Sequence, residues 1–104
     1  MPQHELLALT PSLLWKHFYD ITQIPHPSGS LELIQAHIIN FCKKEKLSYK
    51  KDDAGNILIT KEATKGMQNR QKVILQAHLD MVPQKNSNVS HDFQRDALQP
   101  YIDG

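Results

Sequence analysis

Two residues of this 104-residue chain, His78 and Asp80, have the types and the spacing of a metal-binding pair. They close an apolar run that reads Val73-Ile74-Leu75-Gln76-Ala77-His78-Leu79-Asp80-Met81-Val82-Pro83. On an extended backbone, residues i and i+2 point to the same side, so both side chains can aim at one point beyond a strand. A neutral imidazole binds a divalent cation through one ring nitrogen, and a carboxylate that fixes its tautomer and orientation tightens the site. One histidine does not complete a site that takes three or four protein ligands. By spacing alone, the same two residues also fit a His and an Asp that cap a strand or a turn.

The other chemically capable residues give weaker patterns. His91-Asp92 sets an acid beside an imidazole in a polar loop, but adjacent residues need not point together. His4, His17 and His37 have no partner at ligand spacing and are expected as solvated or packed side chains. His26 lies in Pro25-His26-Pro27-Ser28 and is expected as part of a rigid connector. Cys42 sits on an apolar stripe with nothing arranged to lower its pKa, which suits a small core residue. No serine-nucleophile motif is present.

These residues need elements to hold them. Thr10-Pro11 is a helix-start signal, with the threonine hydroxyl as a cap and proline in the first turn. Leu14, Phe18 and Ile21 then recur at helical spacing beside Trp15 and Tyr19, and Pro25 and Pro27 end the helix. Ser28 or Ser30 can cap a second helix, whose buried stripe is Ile34, Ile38 and Phe41 with Leu31 and Cys42 at its edges. Lys43, Lys44 and Lys46 complement the negative pole at its end. After Leu47 a hairpin is expected: Ser48 to Asp52, a turn at Asp53-Ala54-Gly55-Asn56, then Ile57 to Thr60. A polar loop over 61–71 leads to a third strand, Lys72 to Ala77, whose unbroken apolar centre suits a strand covered on both faces. His78 and Asp80 fall at its exit, where ligands collect in open α/β sheets. From Pro83 to Pro100 the chain is polar and turn-rich, and Tyr101-Ile102 hints at a short final strand.

Length and composition bound the rest. A chain of 104 residues makes at most one domain with a modest core. Its net charge of +1 leaves no basic stripe, so nucleic acid is not an expected partner. A single cysteine excludes an internal disulfide and a Cys-rich zinc module, and suits a reducing cytoplasm. No basic leader precedes a long apolar run and no stretch of about 18 apolar residues occurs, so a soluble, untargeted chain with no membrane partner is expected.

The wording around His78 carries more information than its spacing. Gln76-Ala77-His78-Leu79-Asp80-Met81-Val82-Pro83-Gln84-Lys85-Asn86 resembles the signature of the cytosolic aminoacyl-histidine dipeptidases, also called peptidase D or cytosol non-specific dipeptidases, a branch of the two-metal exopeptidases. Ile24 to Gly29, Asp53 to Ile57, Lys61 to Met67, His91-Asp92-Phe93 and Tyr101 to Gly104 resemble that family's N-terminal region in the same order. The resemblance implies hydrolysis of dipeptides by two bridged divalent metals, usually zinc, with cobalt or manganese able to substitute. His78 matches the family's metal-binding histidine. Asp80 matches the aspartate that serves catalysis by orienting it. Family members are several times longer, and this chain has no match for their general-base glutamate, bridging aspartate or remaining ligands.

The reading that follows is the N-terminal portion, 1–104, of a metallodipeptidase catalytic domain. Its expected class is α/β, with two helices packed on a partial mixed sheet. A dipeptide is the expected substrate, a homodimer is one assembly open to the complete enzyme, and the 104-residue product alone is expected to be inactive. The competing reading is a non-catalytic truncated remnant, or a binding or assembly module of the same fold. A small unrelated α/β domain with accidental motif matches is a third.

Overall fold

A computed structural model describes residues 3–104. A short 3-10 helix, Glu5–Ala8, precedes α1 (Ser12–Thr22) and α2 (Glu32–Lys44), and a hairpin of β1 (Ser48–Lys51) and β2 (Ile57–Thr60) follows. The chain divides into two compact units, Met1–Ile34 with Asp80–Gly104, and Gln35–Leu79.

In the first unit, His4 opens the 3-10 helix. Its Nδ1 accepts from the Leu6 amide at 3.1 Å, so the ring's proton sits on Nε2, which donates to the Pro100 carbonyl at 3.1 Å. The ring also packs on Tyr19, 4.6 Å between centroids. This histidine, expected as merely solvated or packed, ties the chain's two extremes within the unit. The contact also selects which face of α1 is covered. Thr22 is buried and Trp15 and Tyr19 are partly covered, whereas Leu14 and Phe18 of the expected stripe lie open. Periodicity identified the helix, but the 3-10 helix packed one position around from the most apolar stripe. Nor does Thr10 cap α1: the cap position is Pro11, and no side chain bonds to it.

The second helix follows its expected stripe more closely. Ile34 and Cys42 are fully buried, with Leu31, Ile38 and Phe41 partly covered. The helix closes with Lys46 in the left-handed region, φ 58°, and the Leu47 amide donating to the Cys42 carbonyl at 2.8 Å. That six-to-one bond satisfies a carbonyl the helix would leave open, at a position where glycine is the usual residue.

The hairpin of the second unit pairs Ser48 with Thr60 and Lys51 with Ile57 in antiparallel register. Asp52 builds the loop: Oδ1 accepts from the Asn56 amide at 2.8 Å and Oδ2 from Asn56 Nδ2 at 2.9 Å. These bonds hold the Asp52 carboxyl below its ordinary pKa, the side-chain bond to Asn56 contributing most. Gly55 adopts φ 91°, and its carbonyl accepts from Gln35 Nε2 at 3.1 Å. A side chain at position 55 would meet only the movable end of Gln35, so it is the left-handed backbone that requires glycine there.

The architecture is therefore helices with a small sheet, of α/β class. Two expected strands do not form. Residues 72–77 pair with no neighbour among the described residues, and Val73, Ile74 and Leu75 are 79, 88 and 92% exposed. Tyr101 and Ile102 are likewise unpaired in any ladder. Apolar, β-branched composition marks a segment suited to a sheet, but a strand exists only where another backbone meets its amides and carbonyls. In place of a further ladder, Pro27 and Met81 form an isolated parallel bridge.

Candidate functional site

Asp80 is positioned by a turn 52 residues earlier in the chain. Pro27, Ser28, Gly29 and Ser30 form this turn, closed by the Ser30 amide donating to the Pro27 carbonyl at 3.0 Å. Gly29, at its third position, adopts φ 86°. A side chain there would meet nothing within 4 Å, so glycine is needed for the left-handed backbone and not for room. Neither Ser28 nor Ser30 belongs to α2, which begins at Glu32. The structure instead directs Ser28, one of the two expected helix caps, to Asp80: its Oγ donates to Oδ2 at 2.6 Å. The Met81 carbonyl lies 3.5 Å from the same hydroxyl, and the single hydroxyl proton goes to the shorter, charged acceptor.

The backbone on both sides reinforces this contact. The Met81 amide donates to the His26 carbonyl at 2.9 Å, and the Ser28 amide to the Met81 carbonyl at 3.0 Å. His26 and Pro27 are buried. His26 Nδ1 donates to the Ile24 carbonyl at 2.6 Å, which fixes the ring inside the connector. The expectation that His26 stiffens the link between the helices agrees with this geometry.

His78 lies in the second unit, on a stretch outside any ladder, and its side chain is exposed. Asp80 lies in the first unit and is partly covered. The donors that the chain offers here, an imidazole and a carboxylate, are kinds that a divalent zinc accepts. Among the described residues, no three His, Cys, Asp or Glu side chains converge to hold a metal ion. A whole zinc site is therefore not assembled from the described residues.

The His91-Asp92 pair separates into two structural roles. Asp92 Oδ1 accepts from the Gln94 amide at 2.9 Å, while its own amide donates to Asp96 Oδ2 at 2.7 Å. This is local turn chemistry of the kind aspartate favours. His91 packs edge-on against Phe93, 4.6 Å between centroids, and its buried Nε2 has no hydrogen-bond partner. Cys42 is fully buried, as a core thiol should be. An apolar hollow between Leu6, Trp15, Phe18, Pro100, Tyr101 and Ile102 is lined by none of the candidate residues. Sequence reasoning missed the contact of Ser28 with Asp80. Pro-Ser-Gly signals a turn, but nothing local points to a carboxylate so far along the chain.

No family-level sequence model matches the chain. It is 52% identical over 100 residues to the cytosol non-specific dipeptidase of Escherichia coli strain K12, a match covering 96% of this chain and 21% of that protein. The crystal structure of aminoacylhistidine dipeptidase from Vibrio alginolyticus superimposes with a TM-score of 0.92 at 45% identity, covering 98% of this chain and 21% of that one. The chain thus spans about a fifth of the length of the relatives it matches. No helix among the described residues is long and apolar enough to cross a membrane. In sequence and in fold, over nearly all of its length, this chain corresponds to a segment of the cytosol non-specific, or aminoacylhistidine, dipeptidase family.

Proposed function

We propose that the chain is the N-terminal part of the catalytic domain of a metal-dependent dipeptidase that cleaves aminoacyl-histidine and other dipeptides in the cytoplasm. The observation that carries this reading is the agreement with two dipeptidases, in sequence over 96% and in fold over 98% of the chain. The name of the Escherichia coli relative supports the compartment.

In this reading His78 is a direct metal ligand and Asp80 the carboxylate that orients it. Zinc, when bound, supplies Lewis acidity toward a water molecule and the peptide carbonyl. The residues of this chain have a narrower task. His78 must present a neutral imidazole with one ring nitrogen toward the cation, which requires that the proton stay on the other nitrogen. A carboxylate two residues along an extended backbone is suited to hold that proton in place. Asp80 can do so only if it is itself held, and the Ser28 hydroxyl and the paired backbone of Met81 provide that support. The remaining ligands and the general base belong to parts of the enzyme with no match here, so the 104-residue chain alone should be inactive.

The decisive experiment joins this chain to the remaining four-fifths of the Escherichia coli dipeptidase and assays hydrolysis of an aminoacyl-histidine dipeptide with added zinc. Activity that depends on His78 is the expected result. A folded hybrid that stays inactive at every zinc level would favour a non-catalytic remnant or assembly module.

A further inference from the structure

We infer that Ser28 is a positioning residue for the site, holding the Asp80 carboxylate in the orientation from which it serves the imidazole. This rests on the reading of Asp80 given above, and it adds a residue from a distant stretch of the chain. Three observations support it. The Ser28 Oγ to Asp80 Oδ2 distance of 2.6 Å is short, as expected of a hydroxyl donating to an ionised acceptor. The hydroxyl is delivered by backbone that is fixed independently of it, by the Pro27 to Ser30 turn, by the bond from the Ser28 amide to the Met81 carbonyl, and by the bridge of Pro27 to Met81. Finally, Ser28 does not cap α2, a helix that begins four residues later, so its hydroxyl has no competing helical role.

A carboxylate on a short side chain swings about two torsions, and one oxygen pinned by a donor removes most of that freedom. The pinned carboxylate then keeps a constant direction toward its other partners. Outer partners of this kind are what set the orientation of metal-binding histidines. The arrangement extends that logic one residue further, from hydroxyl to carboxylate to imidazole.

The test uses the 104-residue chain and three variants, Ser28→Ala, Ser28→Thr and Ser28→Val, the last two differing only by the hydroxyl. Vicinal couplings at the Asp80 β-protons report its rotamer, hydrogen exchange at the Ser28 amide reports the backbone pairing to Met81, and a zinc titration followed at the His78 ring reports the metal. Wild type and Ser28→Thr should show one Asp80 rotamer, and Ser28→Ala and Ser28→Val an averaged one, with the Ser28 amide protected in all four. Zinc affinity at His78 should fall about 10-fold in the two variants without hydroxyl, the lower end of the effect of losing an outer partner. Wild-type couplings in Ser28→Val, or an averaged Asp80 with undiminished zinc affinity, would overturn the positioning role. A hybrid enzyme that takes up no zinc, with Asp80 of the chain still held in one rotamer, would sink the metal reading and leave the Ser28 contact standing.

Discussion

The amide of Met81 donates to the carbonyl of His26 at 2.9 Å, joining the stretch that carries the metal-type motif to the connector that precedes α2. Through this bond and its neighbour, from the Ser28 amide to the Met81 carbonyl, the backbone next to Asp80 is held by a buried, proline-flanked segment. The side chain of Asp80 thus starts from a fixed base, and the turn at Pro27 to Ser30 becomes part of the site's support.

Gly29→Ala should loosen that support. An L-residue in the left-handed region costs roughly 1–2 kcal/mol, and here no contact hinders the added methyl, so the whole effect is conformational. Hydrogen exchange should quicken at the Ser30 and Ser28 amides, and chemical denaturation should show a loss in that range. An unchanged denaturation midpoint would mean that the turn relaxes without strain.

In the hybrid enzyme, His78→Ala should lose both metal occupancy and turnover, because it removes a direct metal ligand. Asp80→Asn keeps the shape and removes the charge, and should lower metal affinity or activity about 10 to 100-fold, with partial recovery at high zinc. His91→Ala should keep its activity, since His91 packs on Phe93. Metal content by elemental analysis beside steady-state rates checks all three, and full activity of His78→Ala at limiting zinc would end the assignment.

Acid should weaken the hairpin loop through Asp52. Its folded-state pKa is lowered by the Asn56 bonds, so the stabilisation is fully present above the unfolded value of about 3.9 and is lost as pH falls through the lower folded value. Chemical shifts of the Asn56 amide, followed from pH 6 to 2, should move with an apparent pKa below that of a free aspartate. In Asp52→Asn this titration should vanish. A wild-type midpoint at or above the ordinary value would contradict the loop geometry.

The purified chain should self-associate through its open apolar stretch. Val73, Ile74 and Leu75 are almost fully exposed on backbone with no ladder partner among the described residues, a combination that invites edge-to-edge pairing. Sedimentation velocity across a concentration series should show larger species, and Ile74→Lys should suppress them with a stability change within about 0.5 kcal/mol, as for other surface substitutions. A strictly monomeric wild type at high concentration would show that the stretch is protected.

What the sequence by itself determined is local. Helical spacing located α1 and α2, and the turn residues Asp53 to Asn56 ahead of the apolar run Ile57 to Ile59 located the hairpin, because turn preference and side-chain period act within a few residues. The wording around His78 identified the family, which the comparisons uphold over nearly the whole chain. Only the tertiary structure decided the rest. It chose the Trp15, Tyr19 and Thr22 face of α1, because His4 and the 3-10 helix pack there. It left Val73 to Leu75 extended but unpaired, because strand propensity cannot supply the second backbone that a ladder needs. And it brought the Ser28 hydroxyl to Asp80, a bond between residues 52 positions apart that depends on how the chain folds back and leaves no trace in the spacing of either motif.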